Sequence, residues 1–351
     1  MGEQQGGPGD WVKMKIDPGI FEELGVRDPE QVKLENAIRQ KVRQVTKELQ
    51  TDPDNMEKQI ELATLYIDGG NYEIAIKTLK TVVNKDPKNY KAYKALGTAY
   101  ALFRHEDEAM VEFGRAIELN PNDAETHFNL GGVFMLKDMF DSAVIEFEKT
   151  IELEPGDTIA YANLAAAYDV QKMYIEEIRV LKKVLMFNPE DKELRSALST
   201  AYYNASQYDE ALGSALCVVD LDDKDPQAYC NLGSCFAAKS MTDDAINAFN
   251  KAMELSPDYS LPHTNLGSLY ASLGRIEKAI KEFKLATSLN SADALAWLNL
   301  FNCYKEIGRT EESQEAYKKY EEIMSQGQKR AATADFSGIP GGVSTEQKPP
   351  S

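Results

Sequence analysis

Apolar positions along the chain follow a helical spacing that stops and restarts. Tyr93, Leu96, Gly97 and Tyr100 fall at i, i+3, i+4 and i+7, which is one face of a helix. A polar break at Arg104–Asp107 follows, and Ala109, Phe113, Ala116 and Ile117 then repeat the spacing. This predicts two helices joined by a tight turn. The pattern recurs every 34 residues. One column reads Leu62, Leu96, Leu130, Leu164, Leu198, Leu232, Leu266 and Leu300. Four residues later stand Tyr66, Tyr100, Phe134, Tyr168, Tyr202, Phe236, Tyr270 and Tyr304. A small-residue column reads Ala75, Ala109, Ala143, Glu177, Ala211, Ala245, Ala279 and Ser313, with Leu79, Phe113, Phe147, Leu181, Ala215, Phe249, Phe283 and Tyr317 four places on. Chance does not produce such registration.

The columns have physical reasons. Two antiparallel helices approach closely only where one surface lacks bulk and the other fills the groove. Pro53, Pro87, Pro121, Pro155, Pro189 and Pro257 close the second helix, because proline lacks an N–H and restricts the residue before it. Asp123, Asp157 and Asp191 then offer N-cap oxygens to the next first helix. Glu177 and Ala215 break their columns, so looser packing or a bend is expected there. No domain break is expected, since the register carries straight through.

These residues resemble the tetratricopeptide repeat (TPR) family. Its W-x2-L-G-x2-Y…A-x3-F…A…P pattern is matched by Tyr93, Leu96, Gly97, Tyr100, Ala109, Phe113, Ala116 and Pro121, with tyrosine in the tryptophan place. Only the eighth unit keeps that tryptophan, as Trp297. The resemblance implies an all-α, right-handed TPR superhelix of eight repeats over 54–325. The units are 54–87, 88–121, 122–155, 156–189, 190–223, 224–257, 258–291 and 292–325. A terminal unit has no neighbour to cover it, so end caps are expected. Residues 29–53 read as a capping helix, with Asp28-Pro29 at its start and one narrow stripe of Ile38, Val42, Val45 and Leu49. Glu311, Glu312, Glu315, Lys318 and Lys319 make the last helix its own polar cap. Residues 1–28 read as an extension that straps onto the first repeats or docks elsewhere. Residues 326–351 lack periodicity and read as a disordered tail.

Charge narrows the functional classes. The chain has 351 residues, with 39 Lys plus Arg against 57 Asp plus Glu, and a formal net charge of −18. So acidic a chain is a poor match for a phosphate backbone, and no nucleic-acid binding is expected. The longest charge-free stretch, Tyr259–Gly274, contains Ser, Pro, His and Asn, so no membrane insertion is expected. No secretory leader is visible at the start. The four cysteines, Cys217, Cys230, Cys235 and Cys303, show neither redox nor zinc spacing. They read as buried packing residues in a reducing, cytoplasmic compartment. Repeats 122–155 and 190–223 each hold eight acids against two bases. Their outer helices read as a solvated face, with steering of basic partner segments as the alternative.

Catalysis finds little support. His127 and His263 occupy the large-residue place one turn before the Leu column and read as interface fillers. No Walker loop, Rossmann fingerprint or nucleophile elbow is present. No enzyme activity, cofactor or metal is expected. The informative column is asparagine: Asn129, Asn163, Asn231, Asn265 and Asn299 stand immediately before the leucines. One residue turns the helix by about 100°, so these side chains point away from the seam that leucine fills. The family resemblance places them on the concave face formed by the first helices. A carboxamide carries donor and acceptor, and a row of them suits the backbone of an extended peptide. Phe128 and Ile159 add apolar contacts on that face, and Lys91 and Lys94 a positive patch. The chaperone-tail carboxylate clamp of the family is broken, because Thr98, Ile159 and Asn163 stand in three of its five places. The resemblance therefore implies a non-enzymatic scaffold that binds an extended polypeptide. The competing readings are self-association through the N-terminal arm and a targeting subunit for a separate enzyme.

Overall fold

The computed structural model describes residues 29–334, with side chains described for 32–326. Among them the chain is all α-helix and turn, as the periodicity predicts. A first helix, α1 (Pro29–Thr51), precedes eight hairpins. These are α2 (Met56–Asp68) with α3 (Tyr72–Lys85), α4 (Tyr90–Leu102) with α5 (Glu106–Leu119), α6 (Ala124–Leu136) with α7 (Phe140–Leu153), and α8 (Thr158–Val170) with α9 (Tyr174–Val184). Then come α10 (Lys192–Asn204) with α11 (Tyr208–Leu221), α12 (Pro226–Ala238) with α13 (Thr242–Leu255), α14 (Leu261–Ser272) with α15 (Ile276–Leu289), and α16 (Ala294–Glu306) with α17 (Thr310–Ala334). The last helix overruns the tail boundary expected at residue 326, because residues 326–334 are mostly Gln, Lys, Arg and Ala, which favour helix. The rest of that expected tail, and the extension at 1–28, lie outside the described residues.

The chain divides into two compact units, one ending at Leu194 and the other beginning at Arg195. The 34-residue register continues through α10, inside which the contacts partition. The irregularity lies in the fourth and fifth hairpins. There α9 ends at Val184 and its chain tightens, with Met186 and Phe187 N–H donating to the carbonyls of Lys183 and Val184.

Consecutive helices pack on one another from α1 to α9 and from α11 to α17, burying the leucine, alanine and aromatic columns. First helices also touch the first helices of adjacent repeats (α2 with α4, α4 with α6, α6 with α8; α12 with α14, α14 with α16). Second helices do so marginally at most. The first helices are therefore crowded together and the second helices fan apart, so each unit curves with its first helices inside.

Close approach within a hairpin rests on glycine. A Cβ built on Gly97, Gly131, Gly233 or Gly267 would stand 2.7 Å from the ring of Phe113, Phe147, Phe249 or Phe283 respectively. Where alanine replaces that glycine, at Ala63 and Ala165, leucine replaces the phenylalanine, at Leu79 and Leu181. Small and large residues thus trade volume across the seam.

The turn inside every hairpin uses one residue in the left-handed region. Gly70, Gly274 and Gly308 serve in three, and Arg104, Asp138, Lys172, Ser206 and Ser240 in five, all with φ between 56° and 74°. A side chain is disfavoured there by sterics. Lys172→Gly is expected to stabilise the first unit by about 0.5–1 kcal/mol, since relief of the strain exceeds glycine's added chain entropy. A lowered urea midpoint would refute this.

Candidate functional site

The asparagine column sits where local chemistry fixes it. Every first helix except α14 is started by a side-chain cap: Asn55 accepts from Lys58 N–H, Asn89 from Ala92 N–H, Asp123 from Thr126 N–H and Asp157 from Ala160 N–H. Asp191, Asp225 and Asp293 do the same further along. With the start set, Leu130, Leu164, Leu232, Leu266 and Leu300 turn into the core, and the preceding asparagines are half-buried at the rim of it.

The five asparagines behave differently in the two units. In the second unit they form a ladder between first helices. Asn231 Nδ2 donates to Ser196 Oγ at 3.4 Å, Asn265 to Ser234 Oγ at 3.2 Å, and Asn299 to Ser268 Oγ at 3.3 Å. Ser196, Ser234 and Ser268 are thus the acceptors. In the first unit no such bond forms. Asn163 Nδ2 turns back to the Ile159 carbonyl at 2.9 Å, and the Asn129 side chain makes no hydrogen bond among the described residues. None of the five Oδ1 atoms accepts a hydrogen bond among the described residues.

The expected positive patch is corrected. Lys94 is not available to a ligand as a free cation: its Nζ lies 2.6 Å from Glu125 and 3.2 Å from Asp123. Burial works against its charge, but the hydrogen bonds and fields of these two carboxylates outweigh it and hold the ammonium above its ordinary value. Lys94 therefore staples α4 to the start of α6. Lys91 stays exposed on α4. Phe128 is half-buried against the Phe147 ring, 5.8 Å away, and Ile159 is half-buried on α8.

The remaining chemistry is consumed by the scaffold. His127 is buried, its Nδ1 2.6 Å from Glu146 and its Nε2 3.0 Å from the Pro121 carbonyl. His263 meets Glu282 at 2.8 Å. These rings are therefore hydrogen-bonded ties between the two helices of a hairpin, more than space fillers. The same column uses Gln59 and Trp297 to hold the carbonyls of Pro53 and Ser291, six residues upstream. Cys230, Cys235 and Cys303 are buried, and burial pushes the Cys230 thiol up to about 12 against the hydrogen bonds from Asn265 and Tyr259. Such a thiol is a poor nucleophile. Cys217 corrects the reading of four buried cysteines: it is exposed, since its place on α11 faces away from the seam. Among the described residues no three His, Cys, Asp or Glu side chains converge as a metal site, and no helix is long and apolar enough to cross a membrane.

Helical hairpins repeated at a 34-residue step, packed through leucine, small-residue and aromatic columns, define a helical repeat protein. The hairpins are tetratricopeptide repeats, and the chain is a tetratricopeptide repeat protein. Three family profiles of that description match residues 35–113, 226–259 and 262–293. The C-terminal part of a TPR repeat-containing protein from Cytophaga hutchinsonii shares the fold, at TM-score 0.58 and 17% identity, over 69% of this chain and 99% of that one. The chain is also similar to YrrB, a TPR protein with an unusual peptide-binding site, at 28% identity and TM-score 0.42 over 52% and 95% of the two chains. MamA matches at 29% identity and TM-score 0.41, over 48% and 98%. No curated protein matches the sequence. Tetratricopeptide repeats generally mediate protein–protein interaction, and proteins built of them are generally non-enzymatic scaffolds.

Proposed function

We propose that this chain is a non-enzymatic, cytoplasmic scaffold that holds an extended polypeptide against its first helices. The observation that carries the reading is the set of half-buried carboxamides whose Oδ1 atoms accept nothing among the described residues. An extended backbone presents N–H donors that such acceptors satisfy. Asn129 and Asn163 carry the grip, because no hydroxyl on a neighbouring helix engages them. Asn231, Asn265 and Asn299 keep their carbonyls for the peptide while their amides align the helices. Phe128 and Ile159 supply apolar contact beside the grip, and exposed Lys91 favours an acidic residue at one end of the ligand.

The test uses a library of extended peptides displayed on phage, selected on the full chain and measured by fluorescence anisotropy. Asn129→Ala with Asn163→Ala is expected to weaken the selected peptides by about tenfold, the loss of two hydrogen bonds of ~1 kcal/mol each or less. Helicity should stay unchanged. Unaltered affinity with intact circular dichroism would remove the asparagines from the binding face.

A further inference from the structure

The outer face of the fourth hairpin departs from that of every other repeat, beside an acidic outer face on the third. On α7 the outward positions are Asp141, Ile145, Glu148 and Glu152, spaced i, i+4, i+7 and i+11. The same four repeat positions on α9 and just past its end are Ile175, Arg179, Lys182 and Met186. In the seven other hairpins the place of Ile175 is always acidic: Glu73, Asp107, Asp141, Asp209, Asp243, Glu277 and Glu311. The place of Met186 is Glu118, Glu152, Asp220, Glu254 and Glu322 in five of them. Yet Ile175 is 59% exposed, Met186 80% and Ile145 63%. Solvent does not favour isoleucine and methionine where carboxylates otherwise stand.

Charge is arranged to match. Arg179, Lys182 and Lys183 are exposed and form no ion pair among the described residues, although the chain carries a net charge of −18. Across from them, Glu152 pairs among the described residues only with Lys149 on its own helix, and Glu148 accepts from Tyr168 Oη. Between the two lies a cavity of about 480 Å³, with Glu148 and Glu152 on one wall, Arg179 and Lys183 on the other, and Tyr161 and Leu164 among its lining. The face therefore has an acidic half and a basic half, each with exposed apolar residues. A two-fold axis places the basic half of one copy on the acidic half of another, and the reverse.

We propose that this face binds a second copy of the chain, α9 of each copy lying across α7 of the other. Ile175 and Met186 then cover Ile145 and the cavity mouth of the opposite copy, while Arg179 and Lys182 meet Asp141, Glu148 and Glu152. The surface lies on the second helices, so it leaves the asparagine face free and does not depend on peptide binding.

Sedimentation equilibrium of the full chain tests this. A reversible dimer is expected, weakening as salt rises, because its charge pairs are screened. Ile175→Asp with Met186→Glu, which restores residue types used at these places elsewhere, is expected to weaken the dimer by at least about tenfold with unchanged circular dichroism. Arg179→Glu with Lys182→Glu should also give monomers, and adding Glu148→Lys with Glu152→Lys in the same chain should restore the dimer. A wild-type chain that stays monomeric to about 100 μM at low salt would overturn the proposal. So would a dimer that survives both variants, or one that is lost only on deletion of residues 1–28.

Discussion

Replacing Gly131 by alanine is expected to cost the first unit about 2 kcal/mol, the range in which overpacking a filled core falls. The added methyl would stand 2.7 Å from the Phe147 ring, and that ring is fully buried with no room to retreat. The fourth hairpin shows what relieves the clash, since Ala165 there faces Leu181. Phe147→Leu alone is expected to cost about 1 kcal/mol through lost packing. In the Gly131→Ala background it should cost nothing or recover stability. A double-mutant cycle by urea denaturation reads the coupling, and strict additivity of the two changes would sink the volume-exchange account.

Replacing Glu177 by alanine is expected to stabilise the first unit by about 2 kcal/mol at pH 8 and by nothing measurable near pH 4. Glu177 stands in the small-residue column, is 5% exposed, and leaves its Oε2 without a partner. Burial pushes its carboxyl up to about 7, with the nearby charge of Asp169 adding to the rise. Because this group titrates higher in the folded chain than its ordinary 4.5, the folded state binds more protons between those values. Stability therefore falls as pH rises from about 4.5 to 7, and the penalty is complete above that window. Glu177→Gln separates charge from size: it should recover most of the gain at pH 8 while keeping the side chain's bulk. Thermal unfolding at both pH values measures the effect. A gain that is equal at pH 4 and pH 8 would mean that charge burial is not the cause.

Much of this architecture was readable without coordinates. The leucine, aromatic and proline columns determine helix pairs, because a 3.6-residue period broken every 34 residues has no other compact solution. The N-cap roles of Asp123, Asp157 and Asp191 were readable as well, since an aspartate before an apolar run has one local use.

The candidate site was legible only in part. Column position told which residues share a face, but not what each side chain touches there. Lys94 looks like a free cation in sequence because Asp123 and Glu125 are 29 and 31 residues away, the distance that brings one first helix onto the next. The role of Ser196, Ser234 and Ser268 is hidden in the sequence for the same reason. They accept the amides of residues one repeat later.

Sequence alone thus determined the helices, their pairing and the positions that face inward, because these follow from local periodicity and the steric size of single residues. Only the tertiary structure decided which asparagines are held and which are free, where the contacts divide, and that Ile175 and Met186 stand exposed. Those outcomes depend on long-range neighbours, and a hydrogen bond or an ion pair between repeats leaves no trace in the spacing that built them.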